Sequence, residues 1–143
     1  MKTLKIIAFV IVVFCITACE KTNVAPQIPK GLMGTWHYNW ELVQQDPNYS
    51  YFEKIPDLVN EYCFTFNSNG EFVERKNAGW CGTPPVAYRD YTGTWKLQND
   101  SILKIDVGYW GGMEHRVWKI IQVTDSTLTI ELVSSELDGA LGG

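Results

Sequence analysis

The stretch 62–76, Tyr62-Cys63-Phe64-Thr65-Phe66-Asn67-Ser68-Asn69-Gly70-Glu71-Phe72-Val73-Glu74-Arg75-Lys76, decides the fold. Tyr62, Phe64 and Phe66 alternate with Cys63 and Thr65, the two-residue period of a strand with one buried face. Ser68-Asn69-Gly70 reads as a compact turn, because asparagine and glycine tolerate positive φ. Glu71 to Lys76 is the returning strand. The same pattern spreads outward in both directions. Trp36, Tyr38, Trp40 and Leu42 alternate with His37, Asn39 and Glu41. Tyr91–Leu97 faces Ile102–Val107 across Asn99-Asp100, and Glu114–Val123 faces Thr127–Val133 across Thr124-Asp125-Ser126. Sequential hairpins of this kind predict an all-β chain, an antiparallel meander. Closing the sheet removes its unpaired edges, which favours a small β-barrel of 7–8 strands; an open sandwich is the alternative. Two segments break the pattern. Residues 46–60 lack alternation, with Pro56 placed to open a short helical turn at 57–59. Residues 77–87 form a loop rich in glycine and proline.

The N-terminus carries an address. Lys2 and Lys5 precede an apolar run from Ile6 to Ile16, followed by the small-residue pair Thr17-Ala18. That run is shorter than the ~20 residues a bilayer span requires, so it reads as a signal peptide. Ile16-Thr17-Ala18-Cys19 resembles the lipobox of bacterial lipoproteins. The resemblance implies that residues 1–18 are removed, that Cys19 becomes the acylated N-terminus (palmitate among its chains), and that the protein reaches the membrane through lipid. Glu20 follows the cysteine where aspartate would signal inner-membrane retention, which by the same resemblance implies an outer-membrane lipoprotein of the cell envelope. Residues 19–31, polar and twice interrupted by proline, read as a flexible tether. The barrel is expected over 32–134 and a frayed tail over 135–143.

Charge and cysteines narrow the options further. The formal net charge is −4, and Lys2 and Lys5 depart with the signal. With the remaining basic residues scattered, nucleic acid is excluded as a partner. Cys15 also departs and Cys19 carries lipid, leaving Cys63 and Cys81. In an oxidising compartment these two predict a structural disulfide contributing about 3 kcal/mol. Neither a CxxC pair nor neighbouring histidines suggest redox or metal chemistry.

Several short motifs then fall in a familiar order. Gly34-Thr35-Trp36 at the first strand is similar to the G-x-W signature of lipocalins, whose tryptophan closes the barrel floor. Thr124-Asp125 matches a second lipocalin motif, with Ser126 where an aromatic residue is usual; the third motif, an arginine on a late strand, has no match after Arg116. Together with Tyr62–Phe66, Asn67–Gly70, a second Gly-Thr-Trp at Gly93-Thr94-Trp95, and Thr127–Ile130, the run from Gly34 to Leu132 resembles the lipocalin-like lipoproteins common in Bacteroidetes. That resemblance implies a lipocalin-like fold and an envelope address more than a reaction.

Catalytic signals are sparse. His37 and His115 stand on separate strands without zinc-site spacing, and no phosphate loop, nucleophile elbow or calcium loop is present. Glu114-His115-Arg116 is the one candidate acid/base group. A non-enzymatic protein without metal or cofactor is expected. Trp36, Tyr38, Trp40, Tyr62, Phe64, Phe66, Tyr91 and Trp95 are the candidate ligand-binding residues, lining a cavity for a small hydrophobic or amphipathic molecule. The competing possibility is that these large side chains simply fill a small core. Trp80 and Trp110, both in glycine-flanked loops, are candidates of another kind: partner contacts of a protein-interaction module or inhibitor.

Overall fold

The computed structural model describes residues 25–78 and 86–138. The expected signal peptide, Cys19, Trp80, Cys81 and residues 139–143 lie outside them. The described residues form eight strands: β1 (Gly34–Tyr38), β2 (Ser50–Ile55), β3 (Cys63–Phe66), β4 (Glu71–Asn77), β5 (Tyr88–Asn99), β6 (Ile102–Tyr109), β7 (Gly112–Val123) and β8 (Thr127–Asp138). A short helix, α1 (Trp40–Val43), follows β1. The strands close into an antiparallel barrel in the order β1-β2-β8-β7-β6-β5-β4-β3, so the sandwich alternative is ruled out. Among the described residues no helix is long and apolar enough to cross a membrane.

The meander holds from β3 to β8 but not at the start. β1 pairs with both β2 and β3, so the link over residues 56–62 must pass across the outer face of β1. His37 on that face meets Glu61 of the link at 2.7 Å. Cys63 is sealed beneath it, with Sγ 3.6 Å from the Val59 carbonyl and 3.4 Å from that of Glu61. The expected helical turn at 57–59 is absent, and the expected strand through Leu42 stops at Tyr38. There Asn39 caps α1, its side chain accepting from the Leu42 N–H. β2 lies inside the segment that showed no apolar alternation. Its inward row is Ser50, Phe52 and Lys54, so one apolar residue in three hides the period. β8 continues to Asp138, beyond the point where the sequence places a tail.

Register fixes which end is floor and which is mouth. Gly34, the β3–β4 turn, the β5–β6 turn and the β7–β8 turn lie together at one end; α1, the β4–β5 connection and the β6–β7 turn lie at the other. Trp36 plugs the floor: it is wholly buried and its indole N–H donates to the Leu32 carbonyl at 2.9 Å. Lys54 Nζ lies 4.7 Å from the Trp36 ring centroid, a cation from β2 held over the floor ring. Trp95 donates to the Asn67 carbonyl at 3.0 Å beside it. The two Gly-Thr-Trp copies serve different needs. Gly34 sits at φ +118°, whereas a Cβ on Gly93 would lie 2.0 Å from the Asp106 carbonyl oxygen of β6.

Above the floor, Phe52, Phe64, Phe66, Phe72 and Trp118 pack ring against ring at centroid distances of 4.8 to 6.4 Å. Leu103, Ile105, Leu128 and Ile130 fill the spaces between them. Each such side chain contributes about 1.5–3 kcal/mol on burial, and well-oriented aromatic pairs add about 0.5–1.5 kcal/mol. The lower half of the barrel is therefore solid. Any internal space must lie toward the mouth.

Candidate functional site

Parity along β4 and β7 carries charge into the barrel. Phe72 points inward, so Glu74 and Lys76 do as well. Trp118 points inward, and with it Arg116 and Glu114. The four close into a ring of alternating charge. Arg116 Nη1 and Nη2 donate to the two Glu74 carboxylate oxygens at 2.6 and 2.9 Å, and its Nε donates to Glu114 at 2.6 Å. Lys76 Nζ completes the circuit, 2.8 Å from Glu74 and 3.5 Å from Glu114. Two hydroxyls brace it: Tyr62 donates to Glu74 at 2.7 Å and Ser135 to Glu114 at 2.9 Å. Tyr91 stands beside the ring, its centroid 5.2 Å from Lys76 Nζ. Among the described residues no buried side-chain nitrogen or oxygen lacks a partner.

The ring stays ionised. Burial alone raises the Glu74 carboxyl, but Arg116 and Lys76 outweigh it and hold it below the usual carboxylate range. Burial likewise opposes the Glu114 charge, yet Arg116, Ser135 and Lys76 bring its pKa to about 2. For Arg116 burial favours the neutral form, and the two glutamates more than reverse that. Burial first, then the Glu74 charge, push the Tyr62 phenol well above its ordinary value, which keeps it a hydrogen-bond donor.

A cavity of about 200 Å³ opens beside this ring, bordered by its Glu114 and Arg116 members. Phe52, Trp118, Ile130 and Leu132 supply its apolar wall; Tyr38, Ser50, Tyr62, Glu114, Arg116 and Ser135 supply its polar groups. Its opening follows from unequal strand lengths. β2 pairs with β8 only from Ser50↔Ile130 to Glu53↔Thr127, while β8 runs on to Asp138. Beyond Ile130 the barrel wall has no β2 opposite β8, and the cavity lies between those two lips. A second hollow of about 300 Å³ lies outside the floor, between Pro26, Ile28 and the β3–β4 turn. Its polar side chains, Ser68, Asn69 and Lys96, are all exposed and it holds no buried charge, so the mouth cavity is the stronger site.

The sequence candidates distribute unevenly around this geometry. Tyr38 and Tyr62 line the cavity, and Tyr91 flanks the charged ring. Trp36, Phe64, Phe66 and Trp95 are buried in floor and core, and none of them lines this cavity. Trp40 sits outside the barrel, 65% exposed on α1, with its ring 4.5 Å from that of Tyr38. Glu114-His115-Arg116 does not form one acid/base group, because successive strand residues face opposite ways. His115 lies on the outer wall, gripped by Asp106 at 2.6 Å and Asp138 at 2.9 Å. Trp110, 68% exposed, projects from the β6–β7 turn at the mouth. Cys63 carries a free, buried thiol, and its expected partner lies outside the described residues. The charged ring itself escaped the sequence reading, although extending the parity of Phe72 and Trp118 by two and four residues would have found it.

Among the described residues no cluster of three or more His, Cys, Asp or Glu side chains is arranged to hold a metal ion. Residues 32–130 match a family described as the lipocalin-like domain. No curated protein and no solved structure matches the chain.

Proposed function

Because the chain belongs to the lipocalin-like domain family, whose barrels are non-catalytic folds of the transport type, we propose that it is a carrier that holds one small amphipathic ligand at its mouth. The carrying observation is the cavity itself, where an apolar wall of Phe52, Trp118, Ile130 and Leu132 faces converging polar groups. At about 200 Å³ it falls below the ~300–1,000 Å³ of sites for drug-sized molecules. The ligand is accordingly short: a polar head with a brief chain or single ring, not a long acyl chain. Native mass spectrometry of the full-length protein should release a co-purifying small molecule. Ser50→Trp, which fills the cavity from its β2 lip, should abolish that adduct while shifting the melting temperature little. An adduct retained by this variant would place the ligand elsewhere and refute the assignment.

The address belongs to the same proposal. The run Ile16–Cys19 and Glu20 support a lipid-anchored protein of the outer membrane, with the barrel held on a tether. Metabolic labelling with an alkyne palmitate analogue should mark the wild type and not Cys19→Ala. A second reading is favoured by the exposure of Trp110 and Trp40 around the mouth: a rim that docks a protein partner, with Trp80 on the neighbouring β4–β5 connection as a further candidate contact. Under it, Trp110→Ala and Trp80→Ala abolish partner capture and leave thermal stability unchanged.

A further inference from the structure

We infer that the mouth cavity selects uncharged, hydrogen-bonding amphiphiles and rejects carboxylates and amines; this rests on the carrier reading above. The four charges of the ring are balanced, two against two, and each is already engaged. Arg116 spends Nη1, Nη2 and Nε on Glu74 and Glu114, and Lys76 divides itself between the same two carboxylates. An entering carboxylate must compete with Glu74 and Glu114 for Arg116, and a displaced glutamate keeps only Lys76 and one hydroxyl as partners. An entering ammonium meets the same difficulty against Lys76 and Arg116. Either exchange leaves a largely buried charge with fewer partners than it now has, which is penalised.

Neutral groups meet no such barrier. The Tyr38 and Ser50 hydroxyls face the cavity and make no hydrogen bond among the described residues. Tyr62 and Ser135 spend their protons on the ring but keep oxygen lone pairs that accept. A hydroxyl or amide head can therefore both donate and accept without breaking an ion pair, while its chain lies against Phe52, Trp118 and Ile130. Charge exclusion here is specificity by repulsion and lost pairing rather than by fit.

The test is a matched series of octan-1-ol, octanoate and octylammonium, titrated calorimetrically into the full-length protein at pH 7. Octanol should bind tighter than either ion by roughly tenfold or more. Glu114→Gln removes one negative charge without changing shape, so the ring then carries spare positive charge and the preference should move toward octanoate by about tenfold. If all three bind and an ion equals or exceeds octanol, the selectivity is refuted while the carrier reading stands. If none of the three binds the wild type, the carrier reading fails and the inference falls with it. An octanoate affinity unmoved by Glu114→Gln would overturn the role given to the ring.

Discussion

Glu74 is a carboxylate with no exposed surface, held in a β-barrel that its neighbours fill with aromatic rings. Such a group is tolerated only because Arg116, Lys76 and Tyr62 all bind it. Removing it leaves a buried guanidinium short of its partner. Glu74→Ala should lower the unfolding free energy by about 3–5 kcal/mol in a urea titration. Replacing both members, Glu74→Leu with Arg116→Met, should recover at least half of that, since the double variant strands no Glu74 or Arg116 charge. A double variant as unstable as the single one would mean that the ring stabilises by shape and not by pairing. At this scale the sequence was readable in part. Trp36 and the pair Phe64 and Phe66 stood in separate apolar rows of the sequence and are all buried, but hydrophobicity could not tell filling from lining. Glu74, Lys76, Glu114 and Arg116 sit on inward rows by parity, and their charge argued for the outer face.

Among the elements, β7 does the most connecting. Its inner face supplies Glu114, Arg116 and Trp118, and its outer face supplies His115, which clips β6 through Asp106 and β8 through Asp138. Hydrogen bonds to Asp106 and then Asp138 raise the His115 pKa above its ordinary value, and Lys104 and Glu136 border the same groove. A raised folded-state pKa fixes the sign. The clip stabilises fully below the unfolded value of about 6.5 and is lost as pH rises through the higher folded value. Melting temperature should therefore fall across that window in the wild type and stay level in His115→Gln, with imidazole NMR reporting the same midpoint. Hairpin elements were the most legible part of the chain, because Asn69-Gly70 and Thr124–Ser126 announce their turns. β2 was not legible: an inward lysine and serine erase the period that betrays a strand. The place of β1 between β2 and β3 is a topological fact that local pattern does not encode.

At the scale of the whole molecule, the barrel is closed below, charged within and open to one side between β2 and β8. The crossing link over β1 seals Cys63 against Val59 and Glu61, on the outer wall near the mouth. Cys81 belongs to the connection between β4 and β5, which starts and ends at that same end of the barrel. We therefore retain the proposal that the two pair in an oxidising compartment. Peptide mapping without reductant should recover a cross-linked Cys63–Cys81 fragment, and reduction should cost about 3 kcal/mol of stability. Recovery of both thiols free from envelope-purified protein would refute it. The barrel and the hairpin pairings from β3 onward were accessible from alternation and turn chemistry, and the floor tryptophan from the lipocalin resemblance, whereas the size and polarity of the cavity were not. Those depend on where strands end, which is set by pairing partners far apart in the chain.

The ring of strands is completed by the last of the eight, and by only four residues of contact with β2, Ser50–Glu53 against Thr127–Ile130. Until Thr127–Ile130 emerges from the ribosome, the nascent sheet keeps two bare rims, one on β2 and one on β7, each able to recruit a second chain. A product halted before Thr127 is thus a seed for aggregation rather than a smaller carrier, and holding it unfolded until synthesis finishes becomes a requirement of the topology itself.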